Sequence, residues 1–249
     1  MAIGIEAISV YGAQTCVDVR SLFEARGLNL KRFENLMMKR KAVALPCEDP
    51  VTHAVNAALP LINALSEEEK KQIELVITST ESGLDFGKSL ATYVHSMLGL
   101  HRSCRLFEIK QACYGGTAAL QMAAATVALS PAAKALVIAT DVAGAAARGT
   151  YAEPAQGTGA VAMLISQKAD CLALDLGAHG FHSYEVMDTC RPVVGFEAGD
   201  PDLSLMSYMD CLEGAWKDYS QRVEGADFVQ TFSFLAFHTP FAGMVKGAH

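Results

Sequence analysis

A chain of 249 residues, 51% of them hydrophobic, is long enough for one large domain or for two halves sharing an interface. Its net charge of −7, with no basic block, leaves no electrostatic footprint for non-specific nucleic-acid binding. Seven cysteines lie scattered without a CxxC pair, which argues against a zinc site or a disulfide scaffold and fits a reducing cytoplasm. The amino terminus, Met1-Ala-Ile-Gly-Ile-Glu6, lacks the basic and apolar regions of a signal peptide. No stretch reads as the roughly 18 uncharged apolar residues that span a bilayer. A cytoplasmic protein without a membrane segment is expected.

Taken in order, Ile3 to Val10 alternates weakly and predicts a first strand. Asp18 to Arg26 and Lys31 to Met38 have helix-like composition, separated by a stop at Gly27. Lys39 to Pro50 predicts a loop. Asp49-Pro50 then opens a helix running to about Leu65, with aspartate as N-cap and proline at the first position. Ser66-Glu-Glu-Glu69 caps a short charged helix behind it. Ile73 to Thr78 is the next strand; it ends at the small-polar loop Ser79-Thr-Glu-Ser-Gly83, which carries Glu81. Asp85 to Leu98 predicts a helix. Arg105 to Ile109 predicts a buried strand leading to Cys113-Tyr-Gly-Gly-Thr117, and the apolar run Ala118 to Leu129 predicts a buried helix. Ala135 to Ala139 is a strand ending at Thr140-Asp141. A Gly/Ala-rich loop with Tyr151 and Pro154 follows, then a strand from Gly157 to Ser166. From Cys171 the pattern restarts, with a strand at Leu172 to Leu176 and a polar, His-containing loop to Arg191-Pro192. Asp202 to Arg222 reads as an amphipathic helix carrying the only tryptophan, Trp216. A last apolar strand, Phe232 to Phe237, delivers His238. Strands alternating with helices predict an α/β fold with functional loops at strand ends.

A cysteine at a strand-to-helix turn faces unpaired backbone amides and the positive end of a helix dipole. That field favours the nucleophilic thiolate, and the same amides suit a developing oxyanion. A buried structural cysteine is the plain alternative for Cys113. Glu81 and His238 also sit at predicted strand ends, where a solvated glutamate and a hydrogen-bonded structural histidine are the plain readings. A thiol, a carboxylate and an imidazole together form a coherent set for acyl transfer coupled to carbon–carbon bond formation.

Glu81-Ser-Gly, Lys110-Gln-Ala-Cys-Tyr-Gly-Gly-Thr117 and Phe237-His-Thr-Pro-Phe241 resemble the three catalytic motifs of 3-hydroxy-3-methylglutaryl-CoA synthases. Ser82-Gly-Leu-Asp-Phe-Gly-Lys-Ser89, Tyr151-Ala-Glu-Pro154, Glu185-Val-Met-Asp-Thr-Cys-Arg-Pro192 and Asp202-Leu-Ser-Leu-Met-Ser-Tyr208 narrow the resemblance to the polyketide β-branching synthases that act on acyl-carrier-protein thioesters. The resemblance implies a thiolase-like fold, layered αβαβα. An amino-terminal half at 1–168 would carry Glu81 and Cys113, and a partial second half at 169–249 would carry His238.

It also implies roles. Cys113 is the acyl nucleophile, Glu81 the base that forms the enolate, and His238 the donor to the new tertiary alcohol. Asp141, Asp188, Tyr151 and Lys246 are substrate-binding candidates. No metal or redox cofactor is implied; the substrates ride on the phosphopantetheine of donor and acceptor carrier proteins, or on CoA. A homodimer paired through the sheet of the amino-terminal half is expected. A primary-metabolism synthase using acetyl-CoA and acetoacetyl-CoA, and a non-catalytic remnant that docks carrier proteins, are the competing readings. Relative to the family pattern, the chain stops early at His249 and the segment from Val142 to Thr150 is short. The exposed apolar surface left by an incomplete second half would make such a fragment inactive or dependent on a partner.

Overall fold

The computed structural model describes residues 2–144, 147–193 and 195–248. In chain order the elements are β1 (Gly4–Gly12), β2 (Thr15–Asp18), α1 (Val19–Arg26), α2 (Leu30–Leu36), β3 (Arg40–Val43), α3 (Pro50–Ala64), α4 (Glu67–Lys71) and β4 (Ile73–Ser79). Then come α5 (Leu90–Met97), β5 (Arg105–Ile109), α6 (Gly115–Leu129), β6 (Lys134–Asp141), β7 (Gly159–Ser166), β8 (Leu172–Ala173), β9 (Thr189–Val193), β10 (Phe196–Gly199), α7 (Pro201–Arg222) and α8 (Ala242–Ala248). Residues 145 and 146 of the segment whose shortness the sequence suggested lie outside the described residues. The chain forms two interleaved units.

The first unit takes Met1–Cys16, Ala42–Ala143 and Gly157–Leu174. It holds a six-stranded sheet in the order β5-β4-β6-β7-β1-β8. β4 runs parallel to β5 and β6, whereas β7 is antiparallel to β6 and β1. Sheets covered on both faces read as near-continuous apolar runs, and Leu75 to Ile77 and Ala135 to Ala139 do so. On one face Leu136, Ile138, Val76 and Leu164 pack against α3 and α5; on the other, Leu75, Ile77, Val137 and Ile165 pack against α6. Local signals agree with this packing. Asp49 caps α3 in a capping box with Thr52, Pro50 takes the first turn, and Ser66 and Glu69 form a second box at α4. At the far end of the sheet the Lys134 ammonium pairs with the Glu6 carboxylate, both nearly buried.

Residues 112–129 are uncharged and average 1.2 in hydropathy, so one stretch does meet the length and composition of a membrane span, contrary to expectation. Only 15 of them form α6, about 22 Å of helix against a hydrocarbon core of about 30 Å. Ala119, Ala123, Ala124 and Val127 bury one stripe of α6 on the sheet. The opposite stripe is open, with Leu129 89% exposed, so α6 is buried on one face rather than all round.

The second unit takes Val17–Lys41, Gly144–Gln156 and Asp175–His249. Arg26 grips the Glu153 carboxylate in a two-pronged bond at 2.9 and 2.9 Å, and Lys41 donates to the Glu153 carbonyl at 2.6 Å. Trp216 on α7 stacks on Tyr219 and meets Phe228 and Phe232 edge-on.

Several expectations change: the loop predicted from Lys39 to Pro50 holds β3, and the strand predicted from Leu172 to Leu176 stops at Ala173. The predicted helix from Asp85 shortens to α5, because Asp85 accepts the amides of Gly87 and Lys88 in a side-chain turn that competes with helix. The loop ending at Arg191-Pro192 runs into β9, which pairs antiparallel with β10. Phe232 to Phe237 is irregular and largely exposed rather than a strand: among the described residues it has no ladder partner, and an apolar run without a ladder and a covering face does not hold as a strand.

Candidate active site

The chemistry gathers at one edge of the sheet because three neighbouring strands end there. Ser79 pairs with Ile109 on β5 and with Ala139 on β6, so β5, β4 and β6 deliver their following loops side by side. β4 leads to Glu81, β5 to Cys113, and β6 to Asp141. The thiol of Cys113 donates to Glu81 Oε1 at 3.2 Å. Cys113 is exposed, which removes the buried-structural reading.

The loop carrying Glu81 is built around Asp141. Its Oδ1 accepts from Thr80 Oγ1 at 3.0 Å, the Glu81 amide at 2.8 Å and Ser82 Oγ at 2.8 Å. The Ser82 hydroxyl in turn accepts the Val142 amide at 3.0 Å. Asp141 therefore shapes the loop that carries Glu81. Burial pushes its carboxyl above the ordinary range, against the opposing pull of the Ser82, Glu81 and Thr80 donors. The fold thus holds this proton to higher pH than the unfolded chain does, and stability falls as pH rises through that window. Asp141→Asn keeps the acceptor and removes the titration. Its melting temperature relative to wild type should therefore improve as pH rises above about 4. A difference that stays flat across calorimetric scans in that range would refute the shift.

The turn before α6 is tight. Ala112 has φ 44°, a left-handed conformation that costs a residue with a Cβ about 1–2 kcal/mol. The amides of Tyr114 and Gly115 donate to the Gln111 and Ala112 carbonyls at 3.1 and 3.1 Å. Those two donors are engaged in the turn itself, so they do not supply the expected oxyanion contacts. Gly115 lies against β4: a Cβ there would overlap Ser79 Oγ and reach 3.3 Å from the Ile109 carbonyl.

The remaining candidates belong to the second unit. His238 is exposed, and its carbonyl accepts from Tyr208 Oη at 3.1 Å. Asp188 accepts from Ser204 Oγ at 2.9 Å near the start of α7. Tyr151 lies under the Arg32 guanidinium, 4.6 Å from ring centre, and beside Phe23. Lys246 is exposed on α8. The structure therefore joins Glu81, Cys113 and Asp141. Sequence reasoning missed Thr80, Ser82, Ser79 and Ala112; only the glycine pair after Cys113 signals the close approach.

Comparison with known proteins gives the family. Residues 1–170 match the family described as hydroxymethylglutaryl-coenzyme A synthase, N terminal. The polyketide biosynthesis 3-hydroxy-3-methylglutaryl-ACP synthase PksG of Bacillus subtilis is 57% identical over 99% of this chain and 61% of its own length. The hydroxymethylglutaryl-CoA synthase of Enterococcus faecalis is 37% identical over 100% of this chain and 63% of its own. A crystal structure of the curacin biosynthetic pathway HMG synthase in complex with acetyl donor-ACP superposes with a TM-score of 0.94 at 55% identity, covering 100% of this chain and 62% of that one. The chain thus spans about three fifths of the length of the relatives it matches. With residues 1–170 matched and the thiolase-like fold shared, the chain belongs to the hydroxymethylglutaryl-coenzyme A synthase family.

Proposed function

We propose that this chain carries the amino-terminal catalytic machinery of a synthase that condenses acetyl with a β-ketoacyl thioester on a carrier protein, in polyketide β-branching. The observation that carries the reading is the 3.2 Å contact between the Cys113 thiol and Glu81, at the end of paired parallel strands. Cys113 sulfur attacks the acetyl thioester of a donor carrier, and the carrier thiol leaves with a proton. Glu81 takes a methyl proton from the acetyl-Cys113 thioester, and the resulting carbanion bonds to the β-carbonyl carbon of the acceptor-bound chain. His238 donates to the alkoxide oxygen, a role that rests on the Phe237-His-Thr-Pro-Phe241 motif. Water then hydrolyses the Cys113 thioester, leaving a carboxymethyl branch and a free thiol. No step as written calls for a metal or a redox group.

Donor and acceptor carrier proteins and a second copy of the chain are the partners of this reading. The preference for carriers over CoA is supported by 57% identity to the ACP-type relative against 37% to the CoA-type one. Intact-protein mass spectrometry after incubation with acetyl-carrier protein or acetyl-CoA tests it. Acetylation from the carrier well in excess of that from CoA is expected. Equal loading from both would transfer the chain to the CoA branch, and none from either, in a folded sample, would leave a docking remnant.

A further inference from the structure

Glu81 needs a rigid loop, and Asp141 anchors only its first half, Thr80 to Ser82. The second half runs through Gly83 to Ser89 and enters α5. Ser89 takes the N-cap position of α5, yet its side chain makes no capping bond. The vacant role is filled across the sheet. Glu108 on β5 accepts the Leu90 amide, the first of α5, on Oε2 at 2.9 Å, and Thr78 Oγ1 from β4 donates to the same oxygen at 3.3 Å. The other oxygen, Oε1, lies 3.8 Å from where a Cβ on Gly83 would stand. A carboxylate at a helix start answers both the unpaired amide and the dipole.

We infer that Glu108 is a positioning residue that clamps the far end of the base loop to the strand delivering Cys113. This rests on the reading of Glu81 as the base. Glu108 stands five positions before Cys113 on the same segment, and it is tied to both β4 and α5. One side chain therefore joins the two arms whose ends set the Glu81–Cys113 contact. Without it, the loop from Gly83 to Ser89 is left with local contacts: the turn at Asp85, where Oδ1 accepts the Gly87 and Lys88 amides and Oδ2 accepts from Tyr93 Oη, and the Lys88 ammonium 4.1 Å over the Tyr93 ring.

The test compares wild type, Glu108→Ala, Glu108→Gln and Glu81→Gln as full chains, with two readouts. The first is amide exchange over residues 80–90. Loss of the cap in Glu108→Ala should speed it about fivefold or more, while Glu108→Gln, which keeps an acceptor, should hold it near wild type. The second is the rate at which iodoacetamide alkylates Cys113, read by peptide mass. Glu108→Ala should move this rate most of the way to the Glu81→Gln value, and Glu108→Gln should not. Unchanged exchange in a folded Glu108→Ala overturns the proposal, as does exchange raised equally by alanine and glutamine. If Glu81→Gln leaves alkylation untouched, the Glu81–Cys113 reading fails instead, and exchange alone still decides the clamp. Should the alanine variant not fold, Thr78→Val removes the hydroxyl that holds the carboxylate and is read the same way, with unchanged exchange again overturning the clamp.

Discussion

Glu81→Gln is expected to reach the wild-type extent of acetyl loading on Cys113, even where its thiol reacts at an altered rate, and to lose condensation by about 10²–10⁴-fold, the range that a positioned general base supplies. Cys113→Ala is expected to lose both, because no covalent acyl-enzyme can form. The division follows from the geometry. The sulfur sits at the end of its own β5–α6 turn, while the carboxylate comes from a separate loop anchored on Asp141. Removing the negative charge of Glu81 leaves the amide side chain close in size and in place. Mass spectrometry reads the loading, and product analysis with an acetoacetyl-carrier acceptor reads the condensation. Equal losses of both steps in Glu81→Gln would assign Glu81 to activating the thiol and would strip it of the enolate role.

The second large effect is expected at Gly115. A Cβ there would overlap Ser79 Oγ, with the Ile109 carbonyl next in line at 3.3 Å. Neither neighbour yields easily, since Ser79 closes β4 and Ile109 closes β5. Overpacking of this kind costs about 1–3 kcal/mol. Gly115→Ala should therefore lower the melting temperature and, by pushing the start of α6 away from the sheet, also depress acetyl loading on Cys113. Ser79→Ala removes the overlapping oxygen and should restore most of both losses in the double variant. Strictly additive effects would show that the two positions do not meet.

The alternation of strands and helices in the first unit was legible because both sheet faces are covered, which makes the centres of β4 and β6, Leu75 to Ile77 and Ala135 to Ala139, apolar runs. Caps were legible for the same local reason: Asp49 and Ser66 satisfy amides within three residues of themselves. The Glu81–Cys113 contact was foreseeable only through motif resemblance, since 32 residues separate the pair and no periodicity links them. Asp141 matched a family position, but its three donors come from residues 59 to 61 positions away, so its task of shaping the loop needed coordinates. Phe232 to Phe237 had strand composition and no ladder, a property that belongs to neighbours rather than to the run itself.

The pairing of β1 with β7 sets the timing of biogenesis. Gly4 meets Ser166 and Gly12 meets Gly159, so an apolar strand made first waits for one made roughly 150 residues later. At about 5–20 residues per second on the ribosome, that interval lasts on the order of 8–30 s. Throughout it Ile5, Ile8 and Val10 lack their sheet neighbour, and the inserted segment Val17–Lys41 emerges before the unit around it can close. High contact order of this kind slows folding, because the loop-closure entropy is lost before the β1–β7 ladder can form.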